Sequence, residues 1–296
     1  MVMNPSPFIL DGGLATELEA SGFQLHGDPL WSARVLHTAP QAIKDVHYRF
    51  LLSGSDVITT ATYQASVEGL VKHLGVQPEE ARLRLMTAVQ LAREAIQEFK
   101  SNWPLSDRRE PLVAGSVGPY GAFLHDGSEY SGNYEDKMTV ELKDWHRPQI
   151  QCLVNAGSDL VAMETIPSLK EAEALLEVIK EFPETKAWLS FSCKDSHRIA
   201  CGRSFSEAVQ LASRCTQLVA VGLNCCTASL VTPLLQSARA HKRADLSWVV
   251  WKTQSRTSFA KQSLEWKEEG ALWIGGCCHV SPSDIAELKQ ELHSQP

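Results

Sequence analysis

Short apolar runs recur along the chain, and most are followed by a stretch whose apolar residues repeat at helical spacing. FIL (8–10), DVITTATY (56–63), LVAGSVG (112–118), DLVAMET (159–165), KAWLSFS (186–192), LVAVGLN (218–224), LSWVVW (246–251) and ALWIGG (271–276) read as eight strands. They are largely continuous rather than alternating, the pattern of strands buried on both faces. Between them, PQAIKDVHYRFLLSG (40–54) opens on proline and stops at glycine, as a helix does. The stretch Pro78 to Phe99 places Leu83, Leu85, Ala88, Val89, Ala92 and Ile96 on one broad face. SLKEAEALLEVIKEF (168–182) opens with Ser168 and carries Glu171 three residues on, a capping-box pattern. SPSDIAELKQELH (281–293) is the last helix, with Ser281 or Ser283 as its cap.

Eight strands alternating with helices predict an α/β fold of the (β/α)8 TIM-barrel type, whose usual size is ~250 residues and upward. Neither a linker nor a shift in composition divides the chain, so residues 1–296 are expected to form one domain. A doubly wound open sheet is the alternative, and the GxGxxG that would favour it does not follow the first strand.

Composition narrows the function. The net charge of −7 is spread out, and no Lys/Arg block offers itself to nucleic acid. No apolar run approaches the roughly 18 residues of a membrane span. The opening MVMNPSPFIL lacks the basic start and apolar centre of a secretory signal, so a cytoplasmic enzyme is expected. In that setting the eight cysteines do not suggest a disulfide framework. Cys152, Cys193, Cys201 and Cys215 read as buried small hydrophobes. The doublets Cys225–Cys226 and Cys277–Cys278 invite another reading.

In (β/α)8 barrels the active site lies at the C-terminal ends of the strands. Those ends read Asp11-Gly12-Gly13, then Thr59 to Gln64, Ser116 to Pro119, Glu164-Thr165, Gly222 to Cys226, and Gly275 to Cys278. Both cysteine doublets therefore fall on one rim. Three thiolates around a shared point suit Zn²⁺ and leave the open position of a catalytic site. Two chance doublets of buried thiols are the competing reading, and spacing alone does not separate them. His279 is a candidate fourth ligand, or a surface residue beside a helix start.

These rim segments are similar to those of the homocysteine S-methyltransferase family. The matching stretches are DGGLATELEASG (11–22), DPLWSARVL (28–36), DVITTATYQAS (56–66), AGSVGPYGA (114–122), DGSEYSGNY (126–134), METIPSLKEA (163–172), GLNCC (222–226) and IGGCC (274–278). Within the family the chain resembles the enzymes that prefer S-methylmethionine, with betaine–homocysteine methyltransferases as more distant relatives. The resemblance implies a zinc-dependent transfer of a methyl group from a sulfonium donor, S-methylmethionine or S-adenosylmethionine, to homocysteine. It implies Cys225, Cys277 and Cys278 as zinc ligands and leaves Cys226 structural. Homocysteine's sulfur is implied at the open position of the zinc. Glu164 and Asp11 are implied at its amino group, with Gly12 and Gly13 giving backbone room for its carboxylate. Asn224 and Gln64 join the substrate side, and Asn224 also stands as an orienter of the neighbouring ligand. Tyr63, Gln64, Tyr130 and Tyr134 lie on the donor side, where an aromatic face can hold a sulfonium, or else pack. Trp31 reads as core or loop packing. A selenocysteine or other small-thiol acceptor, or a non-catalytic zinc-stabilised barrel, are the alternatives.

One departure stands out. Relatives read something like VVYPNSGE after strand seven, followed by variable loop. This chain runs WVVWKTQSRTSFAKQSLEW (248–266), so a piece of the rim is expected to be missing around Trp251–Ser255, with impaired affinity or turnover as the consequence.

Overall fold

The computed structural model describes residues 6–105, 108–134, 136–252 and 259–293. Its eight strands are β1 (Phe8–Ile9), β2 (Val57–Thr59), β3 (Leu112–Val117), β4 (Leu160–Ile166), β5 (Lys186–Phe191), β6 (Leu218–Cys226), β7 (Ser247–Lys252) and β8 (Ala271–Gly276). All pair in parallel in the order β1-β8-β7-β6-β5-β4-β3-β2. A single parallel bridge, Leu10 to Val57, brings the first strand to the second and all but closes the ring. Asp56 reinforces that seam: its carboxylate accepts from the Ile9 N–H at 3.0 Å. The fold is the (β/α)8 barrel that the alternation predicts.

Each strand is buried on both faces because the two faces serve different layers. Leu10, Val57, Ala114, Leu160, Ala162, Trp188, Ala220, Val249, Trp251 and Trp273 fill the barrel interior. The alternate residues, such as Ile58, Val113, Val161, Leu189, Val221 and Ile274, pack outward against the helices. Trp188 lies at the centre of the inner layer, 5.3 Å from Trp251 and 5.8 Å from Trp273 between ring centroids.

The helices follow the sequence signals, with two exceptions. Pro40–Ser53 starts on its proline and ends at Gly54, whose φ of 108° only glycine adopts readily. Ser281 caps the last helix, Pro282–His293: its Oγ accepts from the Asp284 N–H, and the Asp284 carboxylate bonds back. In Pro78–Asn102, Leu83 is not on the buried face but 62% exposed. Its neighbours Ala81, Leu85 and Ala88 already cover the inner stripe, and Leu83 falls outside that arc. Ser168 does cap Leu169–Ile179, accepting from the Glu171 N–H, but Glu171 does not complete a capping box. Its side chain turns inward to other partners.

The expected loss after strand seven lies between β7 and the helix Phe259–Glu268, at residues outside those described. Among the described residues, no helix is long and apolar enough to cross a membrane.

Candidate metal centre

The C-terminal ends of the strands enclose an open pocket with about 660 Å³ of empty space. Gly12, Gly13, Trp31, Thr59, Tyr63, Ser116, Tyr130, Glu164, Thr165, Cys225, Trp251, Cys277 and Cys278 are on its wall. Among the described residues, none that lines it is Lys, Arg or His.

Two backbone irregularities shape its floor. Pairing along β6 and β7 runs Asn224 with Trp251, then Cys226 with Lys252, so Cys225 is an extra residue. It sits at φ 51°, a bulge conformation that breaks strict alternation. Cys225 therefore reaches the pocket while Cys226 packs in the outer core. The β4–β5 pairing shifts in the same way between Met163 and Ile166, with Thr165 at φ 61°. A β-branched residue in that region is a strained outlier. The fully buried Asn224 ties both irregularities together. Its Oδ1 accepts from the Thr165 N–H at 2.8 Å, and its Nδ2 donates to Thr165 Oγ1 at 2.7 Å and to Cys225 Sγ at 3.5 Å.

Cys277 and Cys278 lie just beyond β8, in a turn closed by the Val280 N–H to the Cys277 carbonyl. The preceding glycines do not take left-handed conformations. They permit close packing: a Cβ on Gly275 would lie 2.4 Å from Leu10 Cβ, and one on Gly276 2.1 Å from Val280 Cγ1. Gly12 and Gly13 do the same from the other side, where added Cβ atoms would meet the Val280 carbonyl at 2.4 Å and the Cys277 carbonyl at 2.8 Å. Four glycines thus press the cysteine turn against the end of β1.

The outcome is a compact sulfur cluster. Cys225 Sγ lies 2.6 Å from Cys277 Sγ, and Cys277 Sγ lies 3.9 Å from Cys278 Sγ. All three fall within 4.8 Å of one another, the one such group among the described residues with the donor types of a metal site. Hydrogen bonds from Cys225 and Cys277 push the Cys278 thiol down to about 3. Cys277 is held protonated by its bonds to Cys225 and Cys278 and by burial. His279 is exposed and stands outside the cluster. At φ 64° its backbone donates to Thr16 Oγ1, and the turn carries the ring outward.

Two carboxylates lie beside the sulfurs. Glu164 is buried on the pocket wall and accepts from Ser116 Oγ at 2.5 Å. Burial, opposed by that bond and helped by Asp11 and Cys278, raises it from 4.5 to about 8. Asp11 sits one layer behind, accepting from the Thr59 N–H at 2.7 Å and from Thr59 Oγ1. Burial pushes it up to about 7 despite those bonds. Among the described residues, neither carboxylate has a cationic partner on the pocket wall.

The remaining expected residues divide. Tyr63 and Tyr130 line the pocket; Tyr134 does not, and its hydroxyl bonds Glu171 instead. Gln64 is also off the wall: its amide donates to the Pro29 and Ala122 carbonyls at 3.3 and 3.0 Å and meets His125 Nδ1 at 2.9 Å. Asn224 touches a cysteine and not the cavity, the arrangement of an orienter. Trp31, read from sequence as packing, stands on the wall at φ 46° with Tyr63 edge-on at 6.3 Å. Its place in DPLW, ahead of a matching strand segment, was the available signal. Trp251, Ser116 and Thr165 also reach the cavity.

A family model for homocysteine S-methyltransferases matches residues 8–292. The chain belongs to that family. A betaine–homocysteine S-methyltransferase of Drosophila melanogaster is 39% identical over 94% of this chain and 92% of its own length. A selenocysteine Se-methyltransferase of Brassica oleracea is 38% identical over 97% and 89%. The metallated form of the homocysteine methyltransferase MmuM of Escherichia coli superposes with a TM-score of 0.90, at 38% identity and 96% coverage of both chains. The family is one of methyltransferases, and this chain is one of its enzymes. The betaine-named relative is as similar as the other two, so identity does not rank the family's donors for this chain.

Proposed function

We propose that this chain is a zinc-dependent S-methyltransferase that moves a methyl group from S-methylmethionine to homocysteine, the whole chain acting as one homocysteine-binding barrel. The observation that carries the proposal is the convergence of Cys225, Cys277 and Cys278 on an open pocket. Three sulfurs are a soft donor set that leaves a fourth position free. The 3.9 Å between Cys277 and Cys278 suits the span of roughly 3.8 Å expected of two 2.3 Å zinc–sulfur bonds at a tetrahedral angle. Cys225 and Cys277 would part by about 1 Å on loading. A metallated relative of the same fold supports this reading. A bound zinc would supply the acceptor thiol in its deprotonated, nucleophilic form.

The chain's own residues do the rest. Glu164 offers its carboxylate to the acceptor's ammonium group, whose charge draws the carboxyl back to its ionised form. Asp11, behind Thr59, adds negative charge at the same end. Gly12 and Gly13, both on the wall, bring bare backbone to the place proposed for the acceptor carboxylate. Among the described residues the wall carries sulfurs and a carboxylate and no Lys, Arg or His, which favours a cationic donor. Tyr63 and Tyr130, joined by Trp31 and Trp251, line the pocket and would give a sulfonium its aromatic contacts. In the transfer, the acceptor sulfur forms a bond to the methyl carbon as the donor's sulfur–carbon bond breaks. The bonding pair returns to the donor sulfur, which leaves as a neutral thioether. With S-methylmethionine both products are methionine.

The relative named for selenocysteine supports a second acceptor for the same site. Alignments with the fly and Brassica proteins run over 304 and 311 positions, more than the 296 residues here. Relatives therefore carry residues that this chain lacks, and we place such a loss after β7. Zinc binding is expected to survive it, with affinity or turnover reduced. A chain with that loop restored should turn over faster; equal kinetics would count against the placement. The function is tested by assaying the purified protein for methylated product. Homocysteine or selenocysteine would serve as acceptor, with S-methylmethionine, S-adenosylmethionine or betaine as donor. Methionine from S-methylmethionine is the expected result. Bound zinc without methyl transfer to any thiol would overturn it in favour of a non-catalytic barrel.

A further inference from the structure

A buried carboxylate outside the pocket fastens a segment of the pocket's rim. Glu171, in the helix Leu169–Ile179 that follows β4, is fully buried. Its Oε1 accepts from the Tyr120 N–H at 2.6 Å and bonds His146 Nε2 at 2.8 Å. Its Oε2 accepts from the Tyr134 hydroxyl. Tyr120 and Tyr134 are the two ends of one excursion from β3, and His146 belongs to the helix Thr139–Asn155 behind it. One side chain thus clamps both ends of the segment. The rings of Tyr120 and Tyr134 add an edge contact with centroids 5.7 Å apart.

Between those ends lies Tyr130, 53% exposed yet on the pocket wall. It shares that wall with Cys225, Cys277 and Cys278. The segment also meets the rim itself. Ser192 Oγ donates to the Glu129 carbonyl at 2.9 Å, and a Cβ on Gly132 would lie 3.0 Å from Cys201 Cβ. No residue of the clamp lines the cavity, so Glu171 reaches a bound molecule only through the segment it holds.

We propose that Glu171 is a positioning residue for the methyl donor: by holding Tyr120 and Tyr134 it keeps Tyr130 on the pocket wall that the three cysteines share. The donor role of Tyr130 rests on the function proposed above; the clamp itself does not. Glu171→Gln turns one of the two accepting oxygens into an N–H₂ group. Tyr134→Phe removes the hydroxyl that bonds Glu171 with little change of volume. Both variants should release the segment without disturbing the cysteines.

The test combines three readouts on the zinc-loaded protein: zinc content, S-methylmethionine affinity by calorimetry, and backbone hydrogen exchange. In either variant, exchange across 119–134 should rise by about 10-fold while the rest of the barrel is unchanged. S-methylmethionine should bind about 10-fold more weakly, within the range of one partly exposed cation–π contact, with zinc and homocysteine binding intact. In a Tyr130→Ala background the same substitutions should no longer change donor affinity. Unaltered exchange, an undiminished effect without Tyr130, or joint loss of zinc and both substrates would overturn the proposal. If the unaltered chain neither binds nor uses S-methylmethionine, the function reading fails, and the exchange measurement alone decides the clamp.

Discussion

Replacing Glu164 with Gln removes a charge that opposes folding and that the acceptor is proposed to need, so its two effects should have opposite signs. The carboxyl is raised from 4.5 to about 8, by burial first and then by Asp11 and Cys278, against the bond from Ser116. Each unit corresponds to about 1.36 kcal/mol, so the ionised group disfavours the folded state by up to about 5 kcal/mol. The folded-state value lies above the unfolded one. The stabilisation from the protonated form is therefore complete below pH 4.5 and is lost as pH rises through about 8. Gln mimics the protonated carboxyl at every pH and still accepts from Ser116. Variant and unaltered chain should melt within a few degrees of each other near about pH 5, and the variant should melt higher by on the order of 10 °C near about pH 9. Homocysteine should bind about 10- to 150-fold more weakly, the worth of a charged hydrogen bond. The assay is thermal melting of the metal-free, substrate-free protein across that pH range, with a homocysteine titration of the zinc-loaded protein alongside. A variant that melts below the unaltered chain at high pH, or that binds homocysteine undiminished, would refute the reasoning.

Cys277→Ser should lose metal and activity together, whereas Cys226→Ser, in the outer core, should keep its metal; elemental analysis of both variants separates ligand from packing residue. Asn224→Ala frees two strained backbone positions and removes a donor from Cys225, so metal affinity should fall by about 10- to 100-fold in a chelator competition. Gly276→Ala would set a methyl group 2.1 Å from Val280 Cγ1 and should destabilise the fold by about 1–3 kcal/mol, read as a lowered melting temperature. Homocysteine affinity should rise with pH through the range of about 7 to about 8 in which Asp11 and Glu164 ionise, and Glu164→Gln should flatten that rise.

The barrel was legible in the sequence because two-sided burial makes each strand an apolar run, and because Pro40, Gly54, Ser168 and Ser281 mark helix ends locally. What periodicity could not carry were the departures from it. The extra residue at Cys225 and the left-handed Thr165 depend on register with β7 and β5, which no single strand displays. Gly275 and Gly276 are needed for their lack of side chains, because Leu10, from the far end of the chain, and Val280, across the cysteine turn, press against them. Glu171 matched a capping box, but burial offered its carboxylate stronger partners in Tyr120, Tyr134 and His146. Gln64 and Tyr134 share segments with pocket residues and still turn away from the cavity. Trp31 belonged to a matching motif, and only tertiary packing brings it to the wall.

The central claim is that Cys225, Cys277 and Cys278 hold a zinc ion whose remaining position receives the acceptor's sulfur. Zinc X-ray absorption of the loaded protein, with and without homocysteine, tests it most directly. The account predicts three sulfur neighbours alone and a fourth on adding homocysteine; a sulfur count that homocysteine leaves unchanged would contradict it.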